Sequence, residues 1–181
     1  MEPTDRETTD LEHYIGIRGG QIELLDSSGK VIASTEKPAE VYEIFPLAKG
    51  LYVYRRGDWK SLSQDGEGEY SEALLGPNLE ELIPLGIYTG IHLGRYYQND
   101  PPVELLLCPK LIRYEPRDIA GSILVPTNIY KTHKMIHHYD IYSMSGELIK
   151  ENITRVFEAT PDRIAVIQGV YGGLLDWNGY L

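Results

Sequence analysis

The sequence predicts a mainly β, antiparallel fold, and three observations carry that expectation. β-favouring and apolar residues come in short runs, among them 21–25, 50–54, 87–93, 103–108, 121–125, 138–142 and 163–168, with no long amphipathic helix pattern between them. Turn residues separate these runs at intervals of about ten residues, which is hairpin spacing. The aromatic content is 14 Tyr against two Phe, and tyrosine suits strands that bury a ring while keeping the hydroxyl wet.

Taken in chain order, residues 1–12 (MEPTDRETTDLE) are polar and poor in apolar side chains, so they are expected to form a flexible N-terminal segment. Residues 13–181 then read as a single β-rich domain. GQIELLDSSG at 20–29 is an apolar run closed by a Ser-Gly turn, and Val31-Ile32 opens the next strand. After Leu51–Tyr54 comes Arg56-Gly57-Asp58, an adhesion-like tripeptide whose position fits an ordinary hairpin turn. One short helix is expected near 78–83, with Asn78 as cap, Glu80 and Glu81 in the first turn and Pro84 as the stop. The glycines of GIYTGIHLG at 86–94 match neither G-x-G-x-x-G nor a Gly-Lys-Ser/Thr ending, so they mark bulges or close backbone contacts rather than a phosphate cradle. HHYDIY at 137–142, the turn SMSG at 143–146 and the aliphatic pair Leu148-Ile149 form the next hairpin. Arg163–Gln168 and the closing GVYGGLLDWNGYL form the last.

Two stretches run in parallel. Residues 26–66 and 143–179 each begin with a Ser-Gly turn and an aliphatic pair. Each then reaches a phenylalanine (Phe45 or Phe157), a strand (51–54 or 164–167) and a terminal Asp/Asn-Gly turn. Such turns need a positive φ, which Gly adopts without steric cost. These units resemble WG-type and related short propeller-blade repeats of bacterial proteins, in which strand, Gly-Trp-type turn, strand and D-x-x-G turn recur. The resemblance covers about residues 18–66 and 139–181, with 70–138 a divergent middle. Trp59 follows Gly57-Asp58 without preceding a Gly, and Trp177 lies inside the closing turn. The resemblance implies a binding surface rather than one shared reaction. The expected architecture is therefore antiparallel hairpin repeats forming a small barrel, a sandwich or an incomplete-propeller-like domain.

Charge and composition narrow the function. With 27 acidic and 17 basic side chains the formal net charge is −10, a surface that repels phosphate backbones, so nucleic acid is not an expected partner. No apolar run approaches the roughly 20 residues of a membrane-crossing helix, and no basic-then-apolar leader opens the sequence. The single cysteine, Cys108 in ELLLCPK, reads as a buried inert thiol in a reducing, cytoplasmic setting.

No catalytic signature is present, and the expected function is a non-enzymatic protein–protein interaction domain. Its sharpest form is an acidic inhibitor or immunity-type protein that binds a basic partner through Asp58, Trp59, Asp65, Glu67 and Glu69, with no cofactor. A second reading, from another class, is a metal- or carboxylate-dependent hydrolase. His133, His137 and His138 lie in KTHKMIHHYD beside Asp140. On a helix His133 and His137 would share a face; on a strand His138 and Asp140 would face one way and His137 the other. Glu80-Glu81, Glu67/Glu69 and Asp100 are the carboxylates such chemistry could draw on. A third reading is an oligomeric β scaffold joined through exposed strand edges.

Overall fold

Residues Leu51, Tyr52, Val53 and Tyr54 are all buried. Side chains alternate between the two faces of a strand, so this segment needs cover on both sides. That requirement organises the molecule. The computed structural model describes residues 13–57, 70–111 and 137–180, and these form four antiparallel sheets. The first contains His13–Arg18 (β1), Gln21–Asp26 (β2) and Val31–Glu36 (β3); the second contains Val41–Ala48 (β4), Leu51–Arg56 (β5), Ser71–Leu75 (β6) and Glu81–Tyr88 (β7). The third contains His92–Tyr96 (β8), Val103–Leu111 (β9), His137–Tyr142 (β10) and Leu148–Ile153 (β11). The fourth contains Arg155–Ala159 (β12), Ile164–Gln168 (β13) and Tyr171–Leu175 (β14). Within each sheet every strand pairs with its neighbour in sequence, so each sheet is a simple meander.

The sheets pack face to face in chain order, as in a sandwich continued beyond two layers. Ile22 and Leu24 of β2 meet Tyr52 and Tyr54 of β5 and Ala73 and Leu75 of β6 in the first interlayer. The opposite faces of β5 and β6 turn Val53 and Leu74 toward Leu106 and Cys108 of β9 in the second. The other face of β9 presents Leu105 to Ile141, Ile153, Ile164, Val166 and Leu175 in the third. Among the described residues no sheet closes on itself as a barrel, and no helix is long and apolar enough to cross a membrane.

One turn recurs in every sheet. At Asp26–Gly29, Ser143–Gly146 and Asp176–Gly179 the glycine N–H donates to the carbonyl of the first residue, at 2.9, 3.0 and 3.0 Å. The first residue's N–H donates to the carbonyl that follows the glycine. The three glycines have φ of 83°, 82° and 80°. The side chain of the first residue also accepts backbone N–H groups of its own turn: Asp26 from Ser28 and Lys30, Ser143 from Ser145 and Glu147, Asp176 from Asn178 and Tyr180. Short polar side chains satisfy tight turns in this way.

The helix expected near 78–83 is instead the fourth copy of this turn, and it leads into β7. Leu79 N–H donates to the Gly76 carbonyl at 3.0 Å, and Gly76 N–H to the Glu80 carbonyl at 2.8 Å. Leu79 takes the glycine position at φ 63°, held there by burial in the first interlayer. Glu80 is not a first-turn helix residue. Its carboxylate folds back to accept the Asn78 N–H at 2.8 Å and fills the space a side chain on Gly76 would need. Pro84 does not stop a helix; it sits in edge strand β7, exposed, where the register to β6 shifts.

The pairs aligned in the sequence occupy matching places. Phe45 lies in β4 and Phe157 in β12, the first strands of their sheets, and residues 51–54 and 164–167 lie in the second strands, β5 and β13. Each phenylalanine ring is covered by an arginine, Arg55 or Arg155, whose guanidinium carbon is 4.7 Å from the ring centre. Residues 70–111 supply β6 to β9.

Candidate functional site

The most polar buried place lies between the second and third sheets, where two carboxylates face the same apolar layer. Asp140, on β10, is 0% exposed. It stands opposite Cys108 in the β9–β10 register and opposite a bulge in β11, where Glu151 and Asn152 together face one residue. Asn152 has φ 59°, which turns its N–H onto Asp140 Oδ1 at 3.0 Å. The other oxygen, Oδ2, accepts the Tyr88 hydroxyl at 2.6 Å and pairs with Lys110 Nζ at 2.5 Å. Tyr142 shares a 2.7 Å hydrogen bond with Tyr88, and their rings meet edge to face. Lys110 also lies 5.5 Å from the Tyr88 ring centre and 3.7 Å from Glu151.

The second carboxylate, Glu72 on β6, is also buried. Its Oε2 accepts the Ile91 N–H at 2.8 Å, and its Oε1 accepts the Tyr70 hydroxyl at 2.8 Å and pairs with Arg55 at 3.2 Å. Arg55 stands directly opposite Glu72 in the β5–β6 register and also pairs with Glu43 at 3.0 Å. The second and third sheets thus each carry a buried acid on the third strand matched to a cation on the second.

These partners set the chemistry. Burial, then the charges of Asp140 and Glu72, push the Cys108 thiol up to about 12, so it stays protonated at neutral pH. Burial and the bond to Asp140 raise the Tyr88 hydroxyl, which remains a neutral donor. Burial pulls Lys110 down, but its bond to Asp140 together with the charges of Asp140 and Glu151 outweighs this and leaves the ammonium more firmly charged than usual. Both oxygens of Asp140 are taken by groups of the chain itself, and the cluster ties β7 of one sheet to β9, β10 and β11 of the next.

A stability prediction follows from these shifts. Cys108, Tyr88 and Tyr70, the last pushed up to about 12 by burial and by its bond to Glu72, all have folded values above their ordinary ones. Above about pH 9 the unfolded chain loses these protons while the folded chain keeps them, so stability falls as pH rises. The urea midpoint is expected to hold between pH 7 and about pH 9 and to decline steadily toward pH 11, with Cys108→Ala showing a shallower decline. A midpoint independent of pH over that range would contradict the placement of these groups.

Of the residues singled out in the sequence, Asp58, Trp59, Asp65, Glu67, Glu69 and His133 lie outside the described residues, and so does the His137 side chain. His138 is half-buried on β10, opposite Lys110. Among the described residues no group of three or more His, Cys, Asp or Glu is placed to hold a metal ion. Glu80 and Glu81 do not form a free carboxylate pair: Glu80 braces its turn, and Glu81 accepts the Tyr54 hydroxyl at 2.7 Å. Glu72, Tyr88 and Lys110 were not evident from the sequence. The available signals were Glu72 inside the apolar run SEALL and Asp140 inside HHYDIY.

Comparison of the chain with protein-family models, with curated proteins and with solved structures gave no match.

Proposed function

We propose that this chain is a protein-binding domain that engages a basic partner through its acidic surface, in the manner of an inhibitor or immunity protein. The observation that carries this reading is the charge of −10 together with its distribution. Glu36, Glu40, Glu147, Glu158 and Asp162 are exposed, whereas Arg55, Arg95 and Lys110 are each paired with carboxylates of the same chain. A surface with an excess of exposed carboxylates attracts a cationic partner and steers its approach. The resemblance to repeats that build binding surfaces points the same way. Asp58, Trp59, Asp65, Glu67 and Glu69 form the proposed contact segment.

The test is capture of a partner from the native host, followed by binding measured at rising salt. Affinity is expected to fall as NaCl rises from about 0.05 to about 0.5 M, as screening shortens the reach of exposed charges. Neutralising the segment with Asp58→Asn, Asp65→Asn, Glu67→Gln and Glu69→Gln is expected to weaken binding about tenfold or more, mainly through the association rate. Binding indifferent both to salt and to these changes would sink the proposal.

A further inference from the structure

Two arginines follow one another at the end of β5, and their surroundings differ. Arg55 stands opposite Glu72 of β6 and pairs with it at 3.2 Å. One row on, Arg56 stands opposite Ser71, so a hydroxyl occupies the place of the carboxylate. Alternation turns this second row to the other face of the sheet, where Tyr54 of β5 and Ala73 of β6 line the first interlayer. Ser71 is 4% exposed. Its Oγ and the Arg56 Nε are both buried, and neither has a hydrogen-bond partner. Among the described residues Arg56 is also without an ion pair.

The carboxylates near this row are engaged elsewhere. Glu72 follows Ser71 in the chain but projects to the opposite face, where Tyr70, Ile91 and Arg55 take its oxygens. Glu81 accepts the Tyr54 hydroxyl at 2.7 Å. The Arg56 side chain instead reaches over β6 toward the part of β7 where the register shifts. A side chain on Gly86, at φ 91°, would meet Arg56 Nη2 at 3.9 Å and no other atom within 4 Å beyond its chain neighbours. The glycine thus leaves open space beside the guanidinium.

We propose that Arg56 and Ser71 form a binding site for a small oxyanion, a carboxylate or phosphoryl group seated between them in the space beside Gly86. One oxygen accepts from the Arg56 Nε–H and another from the Ser71 hydroxyl. Both groups can donate and one carries a fixed positive charge, so a cation or an apolar ligand leaves them without partners. Water satisfies the hydroxyl but does not neutralise the guanidinium. Burying a charge or a donor without a partner costs free energy, and one anion removes both costs. The planar guanidinium fork also matches two oxygens of a single group. The site is separate from the acidic surface proposed to meet a basic partner and does not depend on it.

The test follows the Arg56 Nε–H and Ser71 amide signals by NMR on the full chain as sodium acetate or sodium phosphate is added, with NaCl holding ionic strength constant. At least one anion is expected to shift both signals saturably, with a Kd of about 0.1 to 10 mM. Acetate as the stronger ligand identifies a carboxylate site, and phosphate a phosphoryl site. Ser71→Ala keeps the charge and is expected to weaken binding about tenfold. Because it removes a buried hydroxyl that has no partner, it leaves the anion-free melting temperature unchanged or higher. Arg56→Lys keeps the charge but loses the fork, and is expected to weaken binding about tenfold as well. Each variant is read by the signal that remains. Arg155→Gln, which removes an exposed cation stacked on Phe157, is expected to leave binding unchanged. No saturable shift with either anion overturns the proposal. So does binding that both Ser71→Ala and Arg56→Lys leave as tight, or that Arg155→Gln weakens equally.

Discussion

Asp140→Asn is expected to lower the unfolding free energy by about 3 kcal/mol, read as a fall in urea midpoint at constant slope. The change is nearly isosteric, so the effect reports electrostatics and hydrogen bonding rather than a cavity. It removes the charge that Lys110 meets at 2.5 Å and replaces a carboxylate that accepts from Tyr88 and Asn152. The size lies at the lower end for a broken buried pair because Lys110 is 29% exposed and can swing toward Glu151. Lys110→Met alone leaves Asp140 buried with only its two neutral donors. The double variant Asp140→Asn/Lys110→Met is therefore expected to cost less than the two single changes added together. Strict additivity would show that the two groups do not act as a pair.

Gly179→Ala is expected to destabilise by about 3 kcal/mol or more, and Gly29→Ala by about 1 kcal/mol. Both glycines sit in the same turn at nearly the same positive φ, 80° and 83°, so the backbone strain is shared. What differs is the space. A methyl on Gly29 meets nothing within 4 Å, whereas on Gly179 it would collide with the backbone carbonyl of Ile149 in β11. That carbonyl belongs to a strand and cannot rotate aside, so the turn has to lift away. Lifting it strains the Lys150 Nζ bond to the Gly179 carbonyl, now 3.0 Å, and the seat of Trp177, whose indole N–H donates to Thr160 at 3.1 Å. Thermal melts of the two variants side by side separate the strain of the turn from its docking. Equal losses would mean that the contact with β11 carries no weight.

Much of the fold could be read from the sequence because its turns announce themselves. Asp26, Ser143 and Asp176 each stand three residues before a glycine, and strand runs flank them. The fourth turn hid because its parts are exchanged: Leu79 stands where glycine is expected, and the bracing carboxylate comes from Glu80 rather than from the first residue. Asn, Glu, Glu and Pro then imitate a capped helix. The polar cluster hid for a different reason. Period-two alternation assigns one face of a strand to the core, so an acid between apolar residues reads as solvent-facing. β5, β6, β9 and β10 are covered on both faces, and that cover comes from the neighbouring sheets rather than from the strands' own hairpins. Glu72 and Asp140 are therefore buried, and Tyr88 reaches Asp140 across 52 positions. No local pattern encodes such a meeting.

The layered order also governs how the molecule comes apart. Among the described residues each apolar layer joins a sheet to the next one in the chain, so the packing is close to one-dimensional, as in a stack of plates. An outer plate can detach by giving up a single layer, whereas the second and third sheets each hold two. Cooperativity is then graded along the sequence, with opening from either end costing less than global unfolding and the Asp140 layer the last to separate.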